Sequence, residues 1–171
     1  MINRIIIFSG KQYSGKDTAA KILMEALPEY KRFAMGDIIK LEYAKQHNLS
    51  FEEIETNKSK YRQDLIELGN WGRSISPDYW IQKIIEQKGK IVVTDVRLKH
   101  EYSAFKAHNA IAIRIEADRD IRLLRGEKLV AENDITETDL DNIQDWDFLL
   151  DNNKDYETLR KNVLKIVEQI R

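Results

Sequence analysis

Cysteine is absent from the 171 residues. That excludes disulfides, thiolate metal centres and a cysteine nucleophile. Two prolines and seven glycines are too few for a flexible linker or a Pro-rich tail. Long apolar runs are missing as well. The longest near the start is Ile5-Ile6-Ile7-Phe8, against about 20 residues for a membrane helix and roughly 7–15 for the core of a secretory signal. The expectation is a cytoplasmic protein without a membrane partner. Neither sign of charge dominates: 28 Lys+Arg face 29 Asp+Glu, a net charge of -1. This argues against a nucleic-acid polymer held by bulk positive charge. The charge is unevenly placed, however. Residues 1–131 are net +5, residues 132–155 net -8 and residues 156–171 net +2.

The length suits one domain over residues 1–171. Short β-branched runs alternate with helical patterns. Strands are expected at Arg4–Ser9, Tyr30–Met35, Lys90–Asp95, Ala110–Glu116 and Asp147–Leu150. Helices are expected at Gly15–Leu27, at Ile38–His47 with Ile38, Leu41 and Ala44 on one side, and at Tyr61–Trp71 with Leu65 and Leu68 inward. Further helices are expected from Pro77 to about Gln87, with the proline as first helical residue, and at Leu98–Ala107, Asp118–Arg125 and Tyr156–Arg171. Phe51–Ser59 is polar and ambiguous, and Gly126–Gln144 reads as a loop or short lid. Continuous apolar strands alternating with helices imply an α/β fold: a three-layer α/β/α arrangement around a roughly five-stranded parallel sheet.

The first strand runs into Gly10-Lys11-Gln12-Tyr13-Ser14-Gly15-Lys16-Asp17-Thr18. This is the phosphate-binding P-loop pattern in its required context, strand before and helix after. Gly10 and Gly15 permit backbone angles that turn amides toward a phosphate. The helix start adds unpaired N–H groups and the positive end of a dipole, and Lys16 adds a point charge. Lys11, Ser14 and Thr18 complete the nucleotide-binding set. The pattern asks for Ser or Thr after the lysine to meet Mg²⁺, but this chain has Asp17 there, with Thr18 about 100° further round the helix. Asp17 is a candidate metal ligand, direct or through water.

Ile91-Val92-Val93-Thr94-Asp95 is an apolar strand ending in an acid. Ligands of open α/β sheets sit at carboxyl strand ends, which makes Asp95 the second candidate for the Mg²⁺ shell or, alternatively, a helix cap. Arginines are spaced through the rest: Arg62, Arg73 and Arg97 suit an acceptor phosphate, and Arg122 and Arg125 suit the donor phosphates during transfer. No Asn-Lys-x-Asp occurs, which disfavours a GTPase. His47, His100 and His108 fall in or beside surface helices and read as structural or solvated. An acceptor that is itself a phosphate, with a second pKa of about 6, needs no general base. ATP and Mg²⁺ are the expected cofactors, and nothing specifies an oligomeric state.

Aspartate after the P-loop lysine resembles the deoxynucleoside monophosphate kinases and the animal-type phosphomevalonate kinases. Leu68-Gly69-Asn70-Trp71-Gly72-Arg73, Pro77-Asp78-Tyr79-Trp80 and Thr94-Asp95-Val96-Arg97 are similar to the deoxynucleotide enzymes. Tyr43 to Phe51, Tyr61-Arg62-Gln63-Asp64 and Leu140-Asp141-Asn142 are closer to phosphomevalonate kinase. The resemblance implies ATP phosphates on Lys16 and the loop amides. It places Arg62, Arg73 and Arg97 in an acceptor site within a helical insertion over about 36–88 and its surroundings, and Arg122 and Arg125 in a mobile lid over about 119–145. Gln12, Tyr13 and Leu98 stand where the phosphomevalonate enzymes tend to be basic, and Trp71-Gly72-Arg73 favours a nucleotide. Three readings stay open: a deoxynucleoside monophosphate kinase, a phosphomevalonate kinase, and a nucleotide-binding sensor without turnover.

Overall fold

The β-branched runs form the strands β1 (Ile5–Ser9), β2 (Tyr30–Phe33), β3 (Lys90–Val93), β4 (Ile111–Glu116) and β5 (Phe148–Asp151). The computed structural model describes residues 5–126 and 128–171, so the expected strand position Arg4 lies outside the described residues. The sheet order is β2-β3-β1-β4-β5, and β1 pairs in parallel with both β3 and β4. Ile5, Ile6, Ile7 and Phe8 are all buried, as expected of a central strand covered on both faces. The fold is the expected five-stranded α/β architecture.

Register sets the site. β1 and β4 align Ser9 with Arg114, and β4 and β5 align Glu116 with Asp151. The carboxyl ends of the three strands therefore finish side by side. Helix α1 (Lys16–Ala26) buries Ala19, Ala20, Ile22 and Leu23, and α9 (Tyr156–Ile170) buries Leu159, Val163, Ile166 and Val167. Both stripes join one core with Phe8, Ile113 and Ile115. Helices α6 (Lys99–Ala107), α7 (Arg119–Arg125) and α8 (Ile135–Thr138) complete this unit. α8 lies inside the stretch expected as an irregular loop. Among the described residues no helix is long and apolar enough to cross a membrane.

Residues 33–87 form a second compact unit, the first comprising residues up to 32 and from 88 onward. It holds α2 (Met35–His47), α3 (Phe51–Thr56), α4 (Lys58–Ile75) and α5 (Tyr79–Ile85). The ambiguous stretch after Leu49 is helical because Ser50 caps it: its Oγ accepts the Glu53 N–H at 3.0 Å, a start signal carried by Ser50 and Glu53 themselves. Two expectations need correction. Leu41 is 40% exposed, and Tyr43 takes the inner place, because α2 packs against α3, α4 and α5 together and its buried positions follow three neighbours. Pro77 does not start α5. It sits second in a turn closed by the Tyr79 N–H on the Ser76 carbonyl at 3.1 Å, a position its fixed φ suits.

Inside this unit Tyr43, Ala44, Ile54 and Tyr61 form the core. The Tyr43 hydroxyl donates to Asp64 at 2.6 Å, and this bond, helped by burial, holds its pKa up at about 12. The Trp80 indole packs on α4 where Gly72 leaves room, and its Nε1–H donates to the Gly69 carbonyl at 3.0 Å. A Cβ at residue 72 would stand 2.5 Å from the indole.

A glycine inside a helix ordinarily costs about 1 kcal/mol relative to alanine. Gly72→Ala is expected to behave oppositely and destabilise by about 1–3 kcal/mol through overpacking. Gly36→Ala, with nothing within 4 Å of the new Cβ, is expected to be neutral or stabilising. Paired urea denaturation curves check both.

Candidate active site

β1 ends at Ser9 and α1 begins at Lys16, so six residues turn the chain through the phosphate loop. Gly15 caps α1 with φ 98°, a left-handed conformation that disfavours any side chain. A Cβ on Gly10 would lie 2.6 Å from the Ile115 carbonyl, so the loop can lie this close to β4 only with glycine there. Tyr13 also has positive φ, 59°, and its ring lies against the backbone of Gly126, where a Cβ would collide with it.

The loop is braced from behind. The Asn152 side chain, buried just past β5, donates to the Ser14 carbonyl at 2.8 Å. Arg125 donates to the carbonyls of Ser14 at 3.4 Å and Asn152 at 2.7 Å. Arg122, buried in α7, donates to the carbonyls of Ala117 at 3.2 Å and Gln12 at 3.4 Å. Both helix arginines thus hold loop backbone through their guanidinium groups.

Two cavities open on the loop. One, of about 530 Å³, is lined by Lys16, Asp17, Thr18, Arg97 and Arg125, together with loop residues. The other, of about 600 Å³, is lined by Lys11, Ser14, Arg114, Arg122 and Asp141, together with the ends of β4 and β5. The Ser14 hydroxyl is buried and has no hydrogen-bond partner among the described residues. A buried orphan donor beside a cationic loop fits a phosphate oxygen.

The structure thus brings Lys16, Asp17, Thr18, Arg97 and Arg125 to one cavity. Lys11, Ser14 and Arg122 line the other. Asp95 lies two residues beyond β3, half-buried, and is not among the residues lining either cavity. The Asp17 side chain is 71% exposed, with one oxygen 3.4 Å from Lys16 Nζ. Among the described residues no group of three or more His, Cys, Asp or Glu is placed to hold a metal. A single open carboxylate beside Thr18 suits Mg²⁺ carried on substrate phosphates and their waters. Arg62 and Arg73 are exposed on α4 of the helical unit. Eleven residues apart, they share one face, separated by about 20° and about 16 Å of rise.

Four further residues belong to this site. Glu137 is buried and accepts the Gln12 N–H at 2.9 Å, and its other oxygen takes the Arg97 guanidinium. Arg114 is buried in β4 and donates to Ser9 Oγ at 3.0 Å and to Asp141 at 3.1 Å. Asp141 also binds Lys11 at 2.7 Å. Asn152 is the brace already described. One signal was visible: Arg114 interrupts an otherwise apolar buried strand. Glu137 is lost among acidic neighbours, and Asp141 stands in the Leu140-Asp141-Asn142 stretch of the resemblance with no role attached to it.

Residues 8–110 match the family profile described as phosphomevalonate kinase, and residues 63–163 match that described as deoxynucleotide monophosphate kinase. Among solved structures, the chain is similar to shikimate kinase from Aquifex aeolicus, at 18% identity and TM-score 0.55 over 96% of each chain. It is similar to dephospho-CoA kinase from Campylobacter jejuni, at 18% identity and TM-score 0.58, covering 98% of this chain and 96% of that one. A gluconokinase from Sinorhizobium meliloti matches at 12% identity and TM-score 0.55, covering 99% and 94%. At these identities the likeness is one of fold.

Asn152→Ala is expected to leave the Ser14 carbonyl short of its main donor and to cost about 1–3 kcal/mol of stability. Thermal melting with and without Mg²⁺ and ATP checks this, and the ATP-induced rise in melting temperature is expected to shrink.

Proposed function

Because the chain belongs to the P-loop kinases that the phosphomevalonate kinase and deoxynucleotide monophosphate kinase families represent, matching each over more than half its length, we propose that it transfers the γ-phosphoryl group of ATP to the phosphate of a small monophosphorylated acceptor. A deoxynucleoside monophosphate is the acceptor we favour, and the cytoplasm, where ATP is held, is the compartment. The observation that carries the reading is the juxtaposition of Lys16, Asp17, Arg97 and Arg125 around one cavity at the phosphate loop.

The mechanism follows from charge. An acceptor phosphate is already mostly dianionic at neutral pH, its second pKa being about 6, so no side chain has to remove a proton. What the protein supplies is alignment and neutralisation of two mutually repelling anions. Lys16 and the loop amides hold the donor phosphates, and the Ser14 hydroxyl adds a donor. The second cavity, opening off the same loop, has room for the rest of the nucleotide. Arg122 and Arg125 bear on the donor phosphates during transfer. Arg62, Arg73 and Arg97 take the acceptor phosphate. Asp17 and Asp95 would hold Mg²⁺ directly or through water, and the ion would supply neutralising charge for the donor phosphates. A deoxynucleotide is favoured by the half-exposed Trp71, which meets Tyr79 edge-on at 5.4 Å and offers a flat apolar face to a base. Phosphomevalonate is the second reading, supported by the match over residues 8–110.

A coupled ADP-release assay across deoxynucleoside monophosphates and phosphomevalonate, with ATP and Mg²⁺, is expected to show turnover on one or more deoxynucleotides. Turnover on phosphomevalonate alone establishes the second reading, and tight ATP binding without turnover on any acceptor overturns both. Removing one preorganised donor from a site that stabilises developing charge typically costs about 10²–10³ in turnover, and a loss of at least this order is expected for Lys16→Ala. Arg73→Ala, at an exposed position of the helical unit, is expected to raise KM for the acceptor while KM for ATP stays within about twofold, the split that marks a binding contact.

A further inference from the structure

The first unit holds an internal competitor for phosphate. The Glu137 side chain, only 4% exposed, spans a phosphate-loop amide and a site arginine: one oxygen accepts the Gln12 N–H at 2.9 Å and the other pairs with Arg97. Those are the two donor types, backbone N–H and planar guanidinium, that a phosphoryl oxygen would use. The contact is one of a series. Glu132 binds Arg119 at 2.8 Å, Asp139 accepts the Lys99 N–H at 2.7 Å, and Asp141 binds Lys11 at 2.7 Å and Arg114 at 3.1 Å. The Gln12 side chain adds a reciprocal pair with Val130, donating to its carbonyl and accepting its N–H at 3.1 Å. Residues 130–141 are thus strapped to the phosphate loop and its neighbouring cations by carboxylates, and these carboxylates belong to the segment that carries the net -8.

A carboxylate buried with its partners is stabilised by them, and losing a partner leaves an uncompensated charge in a poor solvent. A donor phosphate that takes the Gln12 amide therefore removes one of the two partners that keep Glu137 buried, and an acceptor phosphate on Arg97 removes the other. Resting on the P-loop kinase reading above, we propose that Glu137 is a built-in phosphate mimic. It latches the 130–141 strap over the phosphate loop in the unliganded enzyme, and nucleotide phosphates displace it. The latch makes nucleotide affinity weaker than the loop alone would give, and it ties release of the strap to occupancy of the site.

The test has a variant arm and a wild-type arm, both using a non-hydrolysable ATP analogue with Mg²⁺. By calorimetry, Glu137→Gln, which keeps the shape and removes the charge, is expected to bind the analogue about tenfold more tightly than wild type, equivalent to about 1.4 kcal/mol. By hydrogen exchange on the wild-type protein, the analogue is expected to slow exchange at residues 10–16 and speed it at residues 132–141. Unchanged or weaker binding by a folded Glu137→Gln protein overturns the latch, as does unchanged or slowed exchange over 132–141. The wild-type arm decides alone if the variant does not fold. Lys16→Ala separates the two readings. If wild type fails to bind the analogue, or binds it no better than Lys16→Ala, the phosphate-loop reading itself fails. Lys16-dependent binding without the two latch signatures sinks only the latch.

Discussion

A site that holds several phosphates is a concentration of like charge when the phosphates are gone, and this repulsion shapes the first unit. Lys11, Lys16, Arg97, Arg114, Arg122 and Arg125 all line the two cavities at the phosphate loop. Unit charges 4 Å apart interact by about 4 kcal/mol at the effective dielectric of a protein surface, so such a cluster needs counter-charge. Two solutions operate side by side. Arg122 and Arg125 are satisfied by backbone carbonyls of the loop and of residues 117, 152 and 154, which stiffens the cradle they help build. Lys11, Arg97 and Arg114 are satisfied by Asp141 and Glu137, which a ligand can replace. The fixed acceptors set geometry, and the replaceable ones match the ligand's charge.

The sheet and its helices were legible because their signals are local and strong. Ile5 to Phe8 and Ile91 to Val93 are uninterrupted apolar runs of strand length, and α9 repeats its apolar residues at helical spacing. The phosphate loop was legible because steric demands fix its residue types. Gly15 at φ 98° and Gly10 against the Ile115 carbonyl leave few alternatives. Harder positions depended on partners distant in sequence. Asn152 braces Ser14 across 138 residues and Glu137 meets Gln12 across 125. Nothing near an isolated Asn or Glu announces such a contact. Leu41 was misplaced for the same reason: which face of α2 is inside depends on three other helices. Pro77 was misplaced because two positions favour proline, the first residue of a helix and the second of a turn, and the Ser76–Tyr79 hydrogen bond selects the turn.

The two family profiles overlap over residues 63–110 and diverge outside it. The shared stretch carries the later part of α4 with Arg73, all of α5, β3, Asp95 and Arg97. The phosphate loop lies in one match only, and Arg122, Arg125 and the acidic segment lie in the other. For the phosphate acceptor proposed above, chemistry explains why one stretch would suit either family. An alkyl or nucleoside monophosphate presents the same three oxygens to a guanidinium, so the residues that grip the phosphate need not change with the group behind it. Discrimination would fall to residues that meet that group, and in the helical unit the half-exposed Trp71, edge-on to Tyr79, is a candidate.

The near-zero net charge is therefore the sum of two functional terms. With the acceptor proposed above, a phosphate already ionised, no buried base is needed, and the groups gathered at the phosphate loop are cations and amides. Those same groups make the empty site costly. The chain meets this by carrying its counter-charge in one segment, net -8 over residues 132–155, set against net +5 over residues 1–131. Scattering the same carboxylates over the surface would leave the total at -1 but would neutralise the site only through screened, long-range interactions beyond the Debye length of about 8–10 Å. Concentrated in a strap, they reach the cations at hydrogen-bond distance and can leave together. Position, more than amount, is what the acidic segment contributes.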